Sequence, residues 1–125
     1  MSYLLDINVL IAAIWLDHSQ NARAVSWLDG KAVVVCPVAE LGFLRISTNK
    51  KAVNAPMADA RKLLQIFLTE RKAARISDDL PALDSKPTTS DEVTDHYLAD
   101  LAAKHGLKLA TLDEGITHAA VELVS

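Results

Sequence analysis

The stretch Tyr3-Leu4-Leu5-Asp6-Ile7-Asn8-Val9-Leu10 decides how the rest of the chain is read. Tyr3 to Asp6 has the length and apolar content of a short buried strand. Asn8 to Leu16, rich in Leu and Ala, then reads as a helix. A carboxylate at the end of a buried strand is costly unless it is paired, hydrogen-bonded or bound to a cation. Asp6 is therefore either a helix cap or a functional group. Asn8, two residues on, is the better cap or a supporting partner of Asp6.

The same alternation continues outward from this stretch. Ser19 to Leu28 predicts a helix stopped by Gly30, and Ala32 to Cys36 a fully buried strand. Pro37 suits the first turn of a helix running to about Thr48. Met57 to Arg71 is strongly amphipathic, with Leu63, Leu64, Phe67 and Leu68 at helical spacing. Ala74 to Ser77 reads as a third strand, and Asp78 to Thr89, with Pro81 and Pro87, as a flexible connection. Thr89 and Glu92 form a capping-box pattern opening a helix that ends near Gly106. Lys108 to Leu112 and Ala119 to Val124 complete the strands. Strands separated by helices predict an α/β fold, one domain over residues 1–125, with a central, mostly parallel sheet flanked by helices. Ligands of such sheets bind beyond the carboxyl ends of the strands. Asp6 closes the first strand and Asp113 the fourth, so both should reach the same edge.

Composition sets the outer bounds. The chain has 125 residues, half of them hydrophobic, enough for a single core. Its net charge of -3 shows no basic excess of the kind that marks many nucleic-acid binders. A nuclease that lets metal ions meet the phosphate charge is compatible with that balance. The one cysteine, Cys36, follows Val33 to Val35 and reads as a buried thiol suited to a reducing cytoplasm. Tyr3 to Leu16 is interrupted by Asp6 and Asn8. It is too short and too polar for a signal peptide or a membrane span, so a cytoplasmic protein is expected.

Most of the 16 Asp and Glu must be solvated surface charges. Four have more specific positions. Asp6 and Asp113 end strands. Glu40 lies in the first turns of its helix with Leu44 one turn on, although the helix dipole alone would favour an acid there. Asp95 sits at the edge of an apolar stripe formed by Val93, Tyr97, Leu98, Leu101 and Ala102. Thr111 stands two residues before Asp113, where its hydroxyl can support a carboxylate. Asp91 shares the face of Asp95 but is adequately explained as a first-turn acid. Four carboxylates gathered at one place repel one another. A hard cation with oxygen ligands resolves this, so Mg2+ or Mn2+ fits better than zinc. His18, His96, His105 and His118 show no zinc-ligand spacing, though His96 beside Asp95 can tune the site.

These segments resemble a known family. Leu5-Asp6-Ile7-Asn8-Val9-Leu10 resembles the first motif of PIN-domain nucleases. Glu40-Leu41-Gly42-Phe43-Leu44-Arg45, with Ser47-Thr48-Asn49, resembles the second in its VapC-type toxin form. Thr94-Asp95-His96-Tyr97-Leu98 resembles the third, and Leu109-Ala110-Thr111-Leu112-Asp113-Glu114-Gly115 the fourth. The four occur in order across nearly the whole chain; His96 replaces an expected small residue. The resemblance implies a PIN fold, magnesium- or manganese-dependent endoribonuclease activity, homodimerisation, and inhibition by a small antitoxin protein. It places catalytic and metal-binding roles on Asp6, Glu40, Asp95 and Asp113, with Asn8 and Thr111 in support.

The expected chemistry is hydrolysis of an RNA phosphodiester, with Arg45, Lys50 and Lys51 as candidate RNA contacts because they follow Glu40 on one segment. A phosphatase or phospho-receiver using Asp6 as nucleophile would want a second Asp at position 8 or paired acids before the acceptor strand, and neither is present. A non-catalytic PIN-like module that binds RNA or protein is the alternative; retention of all four acids argues against it. Phe43, Trp15, Trp27 and the helix Met57 to Leu68 offer apolar surface for the expected homodimer and antitoxin contacts.

Overall fold

A computed structural model describes all residues, 1–125. Five strands form one sheet: β1 (Ser2–Leu5), β2 (Ala32–Val35), β3 (Ala74–Arg75), β4 (Lys108–Thr111) and β5 (Val121–Leu123). Their order is β3-β2-β1-β4-β5, and every neighbouring pair is parallel. The helices are α1 (Ile7–Ile14), α2 (Asn21–Leu28), α3 (Pro37–Thr48), α4 (Met57–Glu70) and α5 (Val93–Lys104). α1 packs on α2 and α3, α3 packs on α4, and α5 packs on β4 and β1.

Strands β1, β2 and β4 are buried because each is a short apolar run covered by these helices. β3 is an exposed two-residue edge, shorter than Ala74 to Ser77. The chain winds from β1 out to β3, returns, and adds β4 on the other side of β1. The order therefore reverses between β1 and β4, where open α/β sheets form their binding crevice.

Helix ends follow local chemistry with two corrections. Gly106, at φ +69°, ends α5: its N–H donates to Ala103 O at 3.1 Å, and that of Leu107 to Ala102 O at 2.8 Å. This is the Schellman pattern, which favours glycine at the left-handed position. The cap of α1 is Asp6 rather than Asn8, which lies inside the helix. Thr89 does not cap α5. Its hydroxyl joins that of Thr88 in donating to Glu92, and a 3-10 turn over Ser90–Glu92 precedes the α-helix.

The expected apolar interface surface is largely internal. Phe43 is wholly buried and stacks on Trp15, with ring centroids 6.2 Å apart. Trp27 packs edge-on against Tyr3 at 4.9 Å. α4 turns Ala60, Leu64, Phe67 and Leu68 into the core. The large apolar side chains left outside include Leu16, Leu41, Leu83 and Val93. No helix is long and apolar enough to cross a membrane.

Candidate acidic active site

Sheet register brings the first two site residues together. Leu5 pairs with Ala110, and the Asp6 N–H continues the ladder by donating to Ala110 O at 3.0 Å. The next position on β4 is Thr111, so the side chains of Asp6 and Thr111 meet beyond the strand ends. Asp6 is 1% exposed. Its Oδ1 accepts from the Ile7 N–H at 2.7 Å and its Oδ2 from the Thr111 hydroxyl at 2.7 Å. Thr111 Oγ1 in turn accepts from Asn8 Nδ2 at 3.2 Å and from the Asp113 N–H at 3.1 Å. One donated and two accepted bonds use the full capacity of a hydroxyl. Asn8 Oδ1 also accepts from the Leu112 N–H at 3.1 Å, tying α1 to the end of β4.

The acids around this hub repel one another. Burial, then the charges of Asp95 and Asp113, push the Asp6 carboxyl up to about 6, against the lowering effect of its Thr111 and Ile7 hydrogen bonds. Asp95, in the first turn of α5, is raised by burial and by Asp113. Asp113 is exposed and folds back to accept from the Gly115 N–H at 2.8 Å. A recess of ≈ 340 Å³ is walled by Asp6, Asn8, Gly42, Arg45, Thr94 and Asp95. Asp95 also faces a second one, of ≈ 160 Å³, with Asp91, His96 and Asp113. No three His, Cys, Asp or Glu side chains converge on one ion position. Magnesium characteristically keeps several waters and takes only one or two carboxylates, so an all-oxygen pair such as Asp6 and Asp95 suits it.

Glu40 is not brought to these three. Its carboxylate pairs with Arg75 at 2.6 Å and faces a groove between α3 and α4. The reason is helical phase. At about 100° per residue, Glu40 shares a face with Leu44, whereas Gly42, Arg45 and Ile46 point the other way, into the Asp6 recess. Gly42 sets that phase. A Cβ there would stand 2.2 Å from Ile7 Cδ1, so α3 meets α1 at a position only glycine fits without a shift. Of the expected RNA contacts, Arg45 lines the recess. Lys50 and Lys51 sit on the exposed turn after α3, where Asn49 Oδ1 accepts from the Lys51 N–H at 2.8 Å.

Asp100, at the edge of the α5 apolar stripe opposite Asp95, has no role assigned to it by the sequence. It accepts from His118 Nε2 at 2.7 Å and contacts His96 Nδ1 at 3.2 Å. His118 Nδ1 accepts from the Ala120 N–H, which leaves the proton on Nε2, facing Asp100. The i,i+4 spacing of His96 and Asp100 was the available signal.

The sequence matches the PIN domain family over residues 3–122. The chain belongs to the PIN-domain family. Among its relatives, ribonuclease VapC38 of Mycobacterium tuberculosis is 34% identical over 121 residues, covering 90% of this chain and 86% of the relative. Ribonuclease VapC39 of the same species is 30% identical, covering 96% and 94%. Among solved structures, VapBC2 from Rickettsia felis, bound to a DNA fragment from its promoter, superposes with a TM-score of 0.65 at 17% identity, covering 98% of both chains. FitAcB from Neisseria gonorrhoeae gives 0.61 at 25% identity, covering 100% and 97%. In this PIN domain the acids Asp6, Asp95 and Asp113 thus occupy the crevice between β1 and β4, and Glu40 stands on the far face of α3.

Proposed function

We propose that this chain is a metal-dependent endoribonuclease and the toxin of a toxin–antitoxin pair. The observation that carries the reading is the buried Asp6 carboxylate at the sheet's switch point, facing Asp95 and Asp113 and held in no ion pair. Relatives named as ribonucleases that align over nearly their whole length support it. Asp6 and Asp95, with Asp113 beside them, would hold Mg2+ or Mn2+. A divalent cation there supplies an activated water and offsets charge on the phosphoryl oxygens.

The protein's own part is positioning. Thr111 and the Ile7 N–H fix the Asp6 carboxylate, Asn8 fixes Thr111, and Arg45 offers a guanidinium fork to a phosphate in the recess. Glu40, paired with Arg75 on the other face of α3, stands apart from this set; that half-exposed pair is worth at most about 1 kcal/mol, so the helical phase of α3 and not the ion pair keeps it there. The partners proposed are single-stranded or looped RNA, a small antitoxin protein as in the VapBC assembly, and a second copy of the chain.

Purified protein should cleave RNA with magnesium or manganese and stop in EDTA. Asp6→Asn and Asp113→Asn should abolish cleavage while melting cooperatively. Undiminished cleavage by both variants would remove the site assignment. RNA binding without cleavage under any divalent metal would favour the non-catalytic module.

A further inference from the structure

Three recesses follow one another along the carboxyl edge of the sheet. The one around Asp6 and Asp95 shares Asp95 with the recess that holds Asp113. On its other side it shares Asn8 and Ile46 with a recess of ≈ 420 Å³, walled by Ile11, His18, Gln20 and Arg23. The shared residues set the three recesses side by side as one trough. Arg23 lines the first, Arg45 shares the middle one with Asp6 and Asp95, and Asp113 lines the last.

Neither arginine forms an ion pair within the protein. Both are exposed on the walls of these recesses, so their guanidinium groups are open to an anionic ligand. The wall that carries Arg23 is hydrogen-bonded within itself. Its Nη1 donates to Gln20 Oε1 at 3.1 Å, and the Gln20 N–H donates to His18 Nδ1 at 3.0 Å. That bond leaves the proton of neutral His18 on Nε2, so the ring is a hydrogen-bond donor on its other side. The turn is anchored below by Asn21 Nδ2, which donates to Ala12 O at 2.9 Å and Ala13 O at 3.2 Å.

We propose that the His18–Arg23 recess is the subsite for the RNA segment flanking the scissile phosphate, with Arg23 and His18 donating to its phosphodiester backbone. The proposal rests on the ribonuclease reading for its substrate. Guanidinium forks match phosphate oxygens, and such contacts set register without reading sequence. Arg23 is thus a positioning residue: it touches the strand beside the cleavage point and leaves the chemistry to the acids.

The test is binding of a labelled single-stranded RNA oligonucleotide to the intact chain in EDTA, by fluorescence anisotropy across a salt series. Arg23→Gln should weaken binding about fivefold and reduce the slope of log Kd against log salt by about 0.7, the loss of one phosphate contact on a single strand. Arg23→Lys should restore part of both. With metal present, Arg23→Gln should raise KM with kcat unchanged. The double variant Arg61→Gln, Lys62→Gln removes two cations from the separate groove between α3 and α4 and should leave binding intact. Native affinity and slope in Arg23→Gln, or an equal loss in the double variant, would overturn the subsite. A polyglutamate peptide that binds through Arg23 while RNA does not would reassign the recess to an acidic protein segment. Arg23-dependent binding without cleavage would sink the nuclease reading and keep the subsite; cleavage indifferent to Arg23 would do the reverse.

Discussion

The Thr111 hydroxyl donates to the buried carboxylate of Asp6 at 2.7 Å, across 105 positions of sequence. The same oxygen accepts from Asn8 and from the Asp113 backbone. Removing it strands three polar groups at once.

Thr111→Val keeps the shape and deletes the hydroxyl. Each buried polar group left unpaired costs about 1–3 kcal/mol. A loss of roughly 2–4 kcal/mol is expected, larger at pH 8 than at pH 5, because the charged carboxylate needs the donor most. Thr111→Ser should recover most of it. Urea unfolding at the two pH values measures this, and a pH-independent loss would mean that the hydroxyl does not serve Asp6.

The raised Asp6 carboxyl predicts how stability varies with pH. Its folded value is about 6 against an ordinary 3.8, so the folded state holds the proton more tightly. The stability gained this way is complete below about pH 3.8 and is lost as pH rises through about 6. Asn caps a helix as well as Asp does, so Asp6→Asn removes the charge and keeps the cap, but its single amide oxygen no longer serves the Thr111 hydroxyl as well. That lost bond lowers stability at every pH, so the pH trend carries the test: without metal, the variant should gain on the native chain between pH 4 and pH 8 by at most about 3 kcal/mol. Thermal melts in EDTA decide it: a difference between the two that does not change with pH would leave Asp6 as a cap alone.

Added metal should oppose that trend. A ligand that binds only the folded state stabilises by about 2.7 kcal/mol at a hundredfold excess over its dissociation constant. Manganese should raise the melting temperature of the native chain, and raise those of Asp6→Asn and Asp95→Asn less. Equal shifts in all three would place the ion elsewhere.

Gly42→Ala tests the close approach of α3 to α1. Alanine improves helix propensity by about 1 kcal/mol, but overpacking costs about 1–3 kcal/mol. The added Cβ would lie 2.2 Å from Ile7 Cδ1 and 2.7 Å from Ile7 Cγ1, so moving only the tip of that side chain does not relieve it. A net loss of about 1 kcal/mol is expected, turning into a gain in an Ile7→Ala background where only the propensity remains. Chemical denaturation of the four proteins in this cycle measures it; a loss unchanged by Ile7→Ala would assign it to some other contact.

Local patterns in the sequence were enough to place Asp6 and Asp113. A short apolar run ended by an acid reads as a strand end wherever it occurs, and parallel strands alternating with helices put those ends on one edge. Gly106 was legible for the same kind of reason, since only a left-handed position closes the helix there. The family motifs also lie in contiguous runs. Glu40 shows where such reading stops. Periodicity tells which residues of α3 share a face, but not which face turns toward Asp6. That phase is set by Gly42 against Ile7 and by Phe43 in the core, contacts made only when α1 and α3 pack. The hub at Thr111, the trough from Arg23 to Asp113, and Asp100 between His96 and His118 share that origin. Each joins segments far apart in the chain, and only sheet register and helix packing decide that they meet.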